Sequence, residues 1–433
     1  MADKYSETTG QPRWVAGRAA ANHGEHLDVV VADASLRQGL VAVRQLGRAG
    51  LAVGAVEDAA RGPAPAFASR WCAAQSRISS RSADRVEHLD HLLDLLSQRP
   101  VDVLIPAHDG TIEAIRDRRD EVEKLCAVAL SDEPGLGGAI DRNETFRAAT
   151  EVGVRLPASV RVTRQGDVDA ALEEVGLPAV VKPVRSWMAA EGAADAVRIA
   201  ASAISDRSYA HAEAARILEA GGEALFQELV PGDREAVSFV RANGRYWGEF
   251  AQRAVRTLPA IGGSSVVRES IALPDDAASD ARKLVSALDL DGYAEVEFRR
   301  DRVGRPVLME INPRLSASVE IAVRSGIDFP VLIAQWARED LGAPVPGYRV
   351  GTRMRWLGGD LARLREVIRD QDQPQVESRQ QAVSDFAHDF VRPFAYDYLD
   401  RADLRPAARA LMFGAWNLSR RARRKLESTR SVQ

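Results

Sequence analysis

From Leu27 onward, short apolar runs alternate with stretches whose apolar residues recur at helical spacing. Leu27–Ala32 predicts a buried strand. Asp33-Ala34-Ser35 predicts a cap, and Leu36 to Leu46 a helix that ends at Gly47 and Gly50. Leu51–Val56, Val101–Pro106 and Ala127–Ser131 predict further strands, with a leucine-spaced helix over Ser82–Ser97 between the first two. This alternation predicts a parallel, doubly wound sheet over residues 27–135, preceded by a loose polar tail at 1–26. His108 and Asp109 fall where a strand's carboxyl end meets a helix, which is either a ligand crevice or an ordinary helix cap. The first turn has no GxGxxG, so a dinucleotide site and a Rossmann oxidoreductase are not supported.

Over 136–345 the pattern changes to strands of an antiparallel sheet. Helices are predicted at Asp141–Gly153, Val168–Val175, Tyr209–Ala220 and Asp275–Leu288, and strands at Val197–Ala200, Ala224–Val230, Glu235–Arg241 and Tyr246–Arg253. Leu258–Ser265 reads as a glycine-bearing connection. Leu177–Val184 is an apolar strand with one cation, Lys182. A lysine in a buried strand needs a partner or must snorkel to water, and phosphate is the natural partner for a flexible ammonium.

The most informative stretch is Ala294–Ser318. Val296 and Phe298 alternate with Glu295 and Glu297, and Val307, Met309 and Ile311 alternate with Leu308, Glu310 and Asn312. A hairpin turning at Val303-Gly304 sets Val296 opposite Ile311, Phe298 opposite Met309, Glu297 opposite Glu310 and Glu295 opposite Asn312. Facing glutamates repel, so this register is stable with a cation over it, and two carboxylates with an amide oxygen are hard ligands of the kind Mg²⁺ takes. The alternative is a solvated hairpin face.

After Gly342–Gly347, a Pro/Gly linker, residues 346–433 predict a mostly helical extension. Its Ala407–Arg424 segment mixes apolar and basic residues, as a terminal helix packed on its own protein or a peripheral membrane contact would.

Composition narrows the reading. The 433 residues have a net charge of −4, which gives no argument for nucleic acid or an anionic membrane as a partner, and no nucleic acid is expected. The two cysteines, Cys72 and Cys126, have no disulfide-framework or metal-ligand spacing, which suits a reducing, cytoplasmic setting. No apolar run is long enough for a transmembrane segment. Lys182 is one of five lysines among 58 basic residues, so arginine was available where lysine stands.

With Lys182, the run Gln227-Glu228-Leu229-Val230-Pro231-Gly232 and Met309–Arg314 in order, the chain resembles the ATP-grasp superfamily, and most closely its carbamoyl-phosphate-synthase-like carboxylate–amine ligases. The resemblance implies an ATP-grasp fold: an N-terminal Rossmann-like sheet and two α+β subdomains holding ATP between them. It implies that Arg142, standing where the family usually has lysine, and Lys182 contact phosphates. Gln227, Glu228, Leu229 and Val230 would lie at the adenine, and Glu235 at the ribose. Glu297, Glu310 and Asn312 would hold Mg²⁺ (Mn²⁺ would also suit), and Arg314 would face the γ-phosphate or acyl phosphate. Gln252, Arg253 and Arg256 lie near positions of additional phosphate contacts. The family's loop after the strand lysine is rich in small residues. Here 185–195 is glycine-poor, and Gly262-Gly263-Ser264-Ser265 is the other candidate cover.

The implied activity is amide or peptide bond formation between small-molecule carboxylate and amine substrates, through an acyl phosphate, releasing ADP and phosphate. A homodimer is compatible with this. The rival from another class is a non-catalytic ATP- or ADP-binding sensor or scaffold, which would not need a complete metal and phosphate set.

Overall fold

The first sheet is built from strands apolar on both faces. In the computed structural model, which describes residues 12–20, 24–80, 84–184, 187–188, 197–198, 201–369, 376–414 and 416, it has six strands. Their order is Val15–Ala16, Cys72–Ile78, Val53–Asp58, Leu27–Ala32, Val101–Ile105 and Ala127–Val128. All pairs are parallel except the first. Val29 and Val31 face the Arg37–Arg48 helix, and Val30 faces Leu89, Leu92 and Leu96 of the Arg85–Ser97 helix. Covering both faces in this way is what turns the strands into continuous apolar runs.

Two local expectations fail here, and one strand went unpredicted. Asp33 does not cap the first helix, which starts after Leu36 with no side-chain cap. Asp33 sits at φ 66° and accepts hydrogen bonds from Thr111 Oγ1 (3.0 Å) and Ala107 N (3.3 Å), tying together the carboxyl ends of the two central strands. Part of the stretch read as a loose tail is in the sheet: Val15 and Ala16 pair with Gln75 and Ala74, and the Trp14 indole donates to Leu95 O at 2.9 Å. Cys72–Ile78 was missed because its polar residues, Gln75 and Arg77, weaken the apolar run that marks its neighbours.

The second unit is a four-stranded antiparallel sheet, ordered Ser202–Ile204, Ala179–Pro183, Ala224–Glu228 and Ser159–Val162. Val181 and Phe226 share a core with helices Val168–Val175 and Arg207–Glu219. Strand alternation therefore turns Val180 and Lys182 to the opposite, open face.

The third sheet has seven strands: Pro306–Asn312, Gly292–Arg300, Arg234–Ala242, Arg245–Leu258, Ser264–Ser270, Arg353–Arg355 and Ala395–Tyr396. Val237, Phe239, Val296, Phe298 and Leu308 pack on the Asp275–Ala287 helix. The glycine-bearing connection is the turn between two long strands, since Leu258 pairs with Ser264. The C-terminal extension is not only helical: Arg353–Arg355 and Ala395–Tyr396 extend this sheet, around helices Leu357–Arg369 and Arg379–His388. Among the described residues no helix is long and apolar enough to cross a membrane. Residues 405–414 are helical, but 417–424 of the basic segment lie outside the described residues.

The extension is fastened by buried charge pairs. Asp403 accepts from Arg44 Nε (3.1 Å), Ser69 Oγ (2.7 Å) and Arg70 N (2.9 Å), and Asp360 accepts from Arg355 (2.8 Å) and Arg256 (2.7 Å). Arg355 lies over the Phe386 and Phe390 rings at 4.3 and 4.5 Å. Removing one member of such a pair strands a charge in the interior. Asp403→Ala is therefore expected to cost about 3–5 kcal/mol, seen as an earlier transition in urea. A midpoint equal to that of the parent protein would show that Arg44 does not depend on Asp403.

Candidate active site

The open faces of the four-stranded and seven-stranded sheets enclose a cavity of about 920 Å³. The hairpin supplies one wall. Glu295 pairs with Asn312, Val296 with Ile311 and Glu297 with Glu310, as alternation predicts, but Phe298 pairs with Leu308, not Met309. A bulge between Glu297 and Phe298 takes Met309 out of the pairing, and Met309 lines the cavity. A bulge re-aims a side chain in this way without disturbing the ladder beyond it. The turn is closed by the Asp301 carboxylate, which accepts from Val303 N and Arg305 N, with Gly304 at φ 84°.

The acidic cluster is compensated by cations from other elements. Arg234 grips Glu297 with both Nε and Nη2 at 3.2 Å. Arg142, at the start of a helix capped by Asp141, donates to Pro183 O at 3.0 Å and stands 3.7 Å from Glu310. Lys182 Nζ donates to Gln227 Oε1 at 2.9 Å, and Gln227 Nε2 donates to Ser159 Oγ at 3.2 Å. Burial, with Arg142 adding to it and Glu310 opposing, brings the Lys182 ammonium down to about 7. Burial raises Glu297 to about 8; Arg234 opposes the rise, and Glu310 and Glu295 add to it. Glu310, although burial pushes it the other way, is held low by Arg142, Lys182, Arg234 and Arg314. Glu295 is raised by burial and accepts from Gln252 Nε2 (3.0 Å) and Ser238 Oγ (3.3 Å).

Arg142, Lys182, Gln227, Glu228, Leu229, Val230, Glu297, Glu310, Asn312 and Arg314 all line this one cavity. Glu235 does not. It lies on the sheet's other face, where Arg300 holds it at 2.6 Å, because odd positions of its strand (Val237, Phe239) point to the core and even positions (Arg234, Ser238) to the site. Arg253 and Arg256 also lie outside the cavity, paired with Asp233 (3.2 Å) and with Asp360 and Asp389 (2.7 and 2.5 Å). Gln227 is turned to Lys182, and its carboxamide is occupied on both sides. Residues 189–195 of the glycine-poor loop, with Arg185 and Ser186, lie outside the described residues, whereas Gly262, Gly263, Ser264 and Ser265 line the cavity.

Arg234 was missed, and Asp109, placed by its sequence position at either a ligand crevice or a helix cap, had no partner assigned. Arg234 was hidden by the choice of its neighbour; the parity that places Ser238 beside Glu295 would have found it. Asp109 clamps Arg314, with Nη2 to Oδ2 at 3.0 Å and Nε to Oδ1. His108 is the helix cap, Nδ1 accepting from Gly110 N at 3.0 Å.

Residues 225–358 match a family model described as "ATP-grasp in the biosynthetic pathway with Ter operon". The matched segment carries the glutamate hairpin and the strands beside it. No curated protein matches it in sequence. Among solved structures it is similar to L-amino acid ligase from Bacillus licheniformis (TM-score 0.52, 18% identity, covering 72% of this chain and 74% of that one). It is also similar to N5-carboxyaminoimidazole synthetase from Staphylococcus aureus complexed with ADP (0.56, 16%, 80% and 86%). A third is the biotin carboxylase domain of Hydrogenobacter thermophilus 2-oxoglutarate carboxylase, in complex with MgADP and bicarbonate (0.58, 13%, 76% and 73%). At these identities the likeness is one of fold: the ATP-grasp fold with its N-terminal parallel sheet.

The oxygen donors of Glu297, Glu310 and Asn312 fit a hard dication. Facing carboxylates, one of them raised to about 8, are what such an ion would neutralise. A carboxyl raised in this way takes up protons near neutral pH that a dication would displace. Mg²⁺ titration in weak buffer at pH 7 is expected to release protons, and Glu297→Gln to abolish the release. Equal release from both proteins would place the metal elsewhere.

Proposed function

We propose that this protein is an ATP-dependent carboxylate–amine ligase, acting in the reducing cytosol that its two buried, unbridged thiols suit. One observation carries the reading: Arg142 and Lys182 meet a Glu297–Glu310–Asn312 donor set in a single cavity, with Arg234 paired to Glu297 from the adjacent strand. Cations opposite hard oxygen ligands suit a polyphosphate with Mg²⁺ (or Mn²⁺) between them.

In this reading the backbone at Leu229 and Val230 takes the adenine edge. Glu228, an exposed residue of the cavity lining, replaces Glu235 as the carboxylate for the ribose hydroxyls. Arg142 and Lys182 hold phosphate oxygens, and Gln227 orients the ammonium through its 2.9 Å hydrogen bond. Glu297, Glu310 and Asn312 hold Mg²⁺, which supplies charge neutralisation to the phosphate oxygens. The substrate carboxylate attacks the γ-phosphorus in line, the bond to the β,γ-bridging oxygen breaks, and ADP leaves. Arg314, held in place by Asp109, neutralises the transferred phosphoryl group. The amine nitrogen then adds to the acyl carbon, loses a proton and expels phosphate, giving the amide. No side-chain nucleophile is needed, so the protein's work is positioning and charge neutralisation.

ADP release is expected to require Mg²⁺ together with a suitable acid and amine. Lys182→Ala or Glu310→Ala should each lower it about a hundredfold or more, as loss of a positioned charge does. Full activity in both variants would overturn the assignment. The lysine also sets a pH dependence. Below pH 7 it is already charged; above, the neutral amine must take up a proton as phosphate binds. ATP affinity should therefore fall from pH 7 to 9, with proton uptake seen by calorimetry in buffers of different ionisation enthalpy. A flat profile would show that Lys182 does not meet phosphate.

A further inference from the structure

We propose that Arg37 anchors a second anionic group on the acid substrate, so that the enzyme takes a dianionic acid, either a dicarboxylate or a phosphorylated carboxylate. The proposal rests on the ligase reading and adds to it the class of acid.

Position is the first support. In the six-stranded sheet the chain runs from Leu27–Ala32 outward through Val53–Asp58 to Cys72–Ile78, then returns to Val101–Ile105 on the other side. The strand order therefore reverses between Leu27–Ala32 and Val101–Ile105, and in doubly wound sheets ligands bind outside the carboxyl ends at such a point. Arg37 opens the helix after the first of these strands, and Asp109 opens the helix after the second. Arg37 lines the cavity, and Asp109 reaches it through Arg314.

Charge is the second. Arg37 Nη1 donates to Asp397 Oδ2 at 2.8 Å, and Arg268 donates to both oxygens of the same carboxylate, with Nη1 to Oδ2 at 3.1 Å. Arg268 and Asp397 are fully buried, so two guanidinium groups share one carboxylate and a positive charge is left over. The neighbouring charges do not cancel it. Glu320 is paired with Arg324 at 2.8 Å, and Asp400 with Arg48. Arg37 is the member of the trio that reaches the cavity, with 10% of its side chain exposed.

The third support is the open fork. Arg314 and Arg234 each spend both arms on a carboxylate. Among the described residues Asp397 is the one protein acceptor for Arg37, and only through Nη1, so Nε and Nη2 are left for a ligand. The guanidinium carbon lies over the Trp356 ring, 4.4 Å from its centroid. A stacked, half-satisfied guanidinium is preorganised for carboxylate or phosphate oxygens. Both groups that hold it, Trp356 and Asp397, come from the C-terminal extension, which thereby shapes the substrate site.

The test uses acids matched in size and differing in the second charge: glutamate against glutamine, aspartate against asparagine, phosphoserine against serine. Each is titrated into MgADP-loaded protein by calorimetry, and assayed with MgATP and a panel of amines for ADP release. The dianion of at least one pair is expected to bind about 10- to 100-fold more tightly, as a charge-assisted hydrogen bond would give. Arg37→Gln should erase that preference, with MgADP affinity showing that the variant is folded. Should the variant not bind MgADP, Arg37→Lys is read instead, with a loss of about tenfold expected as a point charge replaces the fork. The carboxylate and phosphate pairs show which group the site takes. Equal binding within every pair, no binding of any acid, or a preference that survives in Arg37→Gln would overturn the proposal. Arg37-dependent binding without ADP release from any combination would instead overturn the ligase reading and leave the anion site standing.

Discussion

Two glutamates facing each other on a buried sheet are unstable unless positive charge stands over them, and much of the structure around the cavity meets that demand. Glu297 and Glu310 are cross-strand partners, with Glu295 beside them. The cations that answer them come from three directions: Arg234 from the adjacent strand, Arg142 from a helix start, and Lys182 from the four-stranded sheet. The two halves of the cavity are therefore linked by electrostatics as well as by chain connection. Neither half could keep its charges buried alone without shifting them toward the neutral form, which is the direction in which Lys182 and Glu297 have moved.

A second set of charges ties the C-terminal extension to the rest. Asp397, Asp400 and Asp403 lie within a few residues of one another and meet Arg37, Arg48 and Arg44 of one helix face in the first sheet's leading helix. That helix in turn shares an apolar core with Phe329 and Ile333 behind the seven-stranded sheet. The extension is thus an integral wall. Its Trp356 and Asp397 set the position of Arg37, and its Glu366 accepts from Ala260 N at 3.0 Å in the turn beside the cavity.

The features that were legible in sequence were those fixed by short-range periodicity. The apolar strands of the first sheet, the glutamate hairpin and the isolated lysine could all be placed, because alternation decides which side chains share a face. The bulge that frees Met309 could not, since it keeps the flanking residues in pattern. Glu235 was assigned by position within a motif, whereas the parity of Val237, Phe239 and Ser238 puts it on the core side. Asp109 and Asp397 illustrate the remaining gap. Each works by meeting an arginine more than a hundred residues away in sequence, and no local pattern announces such a contact. The sheet strands at Ser264–Ser270 and Arg353–Arg355 were hidden for a related reason: their buried arginines, Arg268 and Arg355, look like surface residues until their carboxylates are known.

Transfer of the γ-phosphoryl group of ATP to a carboxylate in this cavity is tested most directly with hydroxylamine in place of the amine, because it traps an activated acyl group as a hydroxamate while phosphorus NMR identifies the nucleotide product. The expected result is hydroxamate formed together with ADP and phosphate, in equal amounts and dependent on Mg²⁺. Hydroxamate accompanied by AMP and pyrophosphate would contradict it.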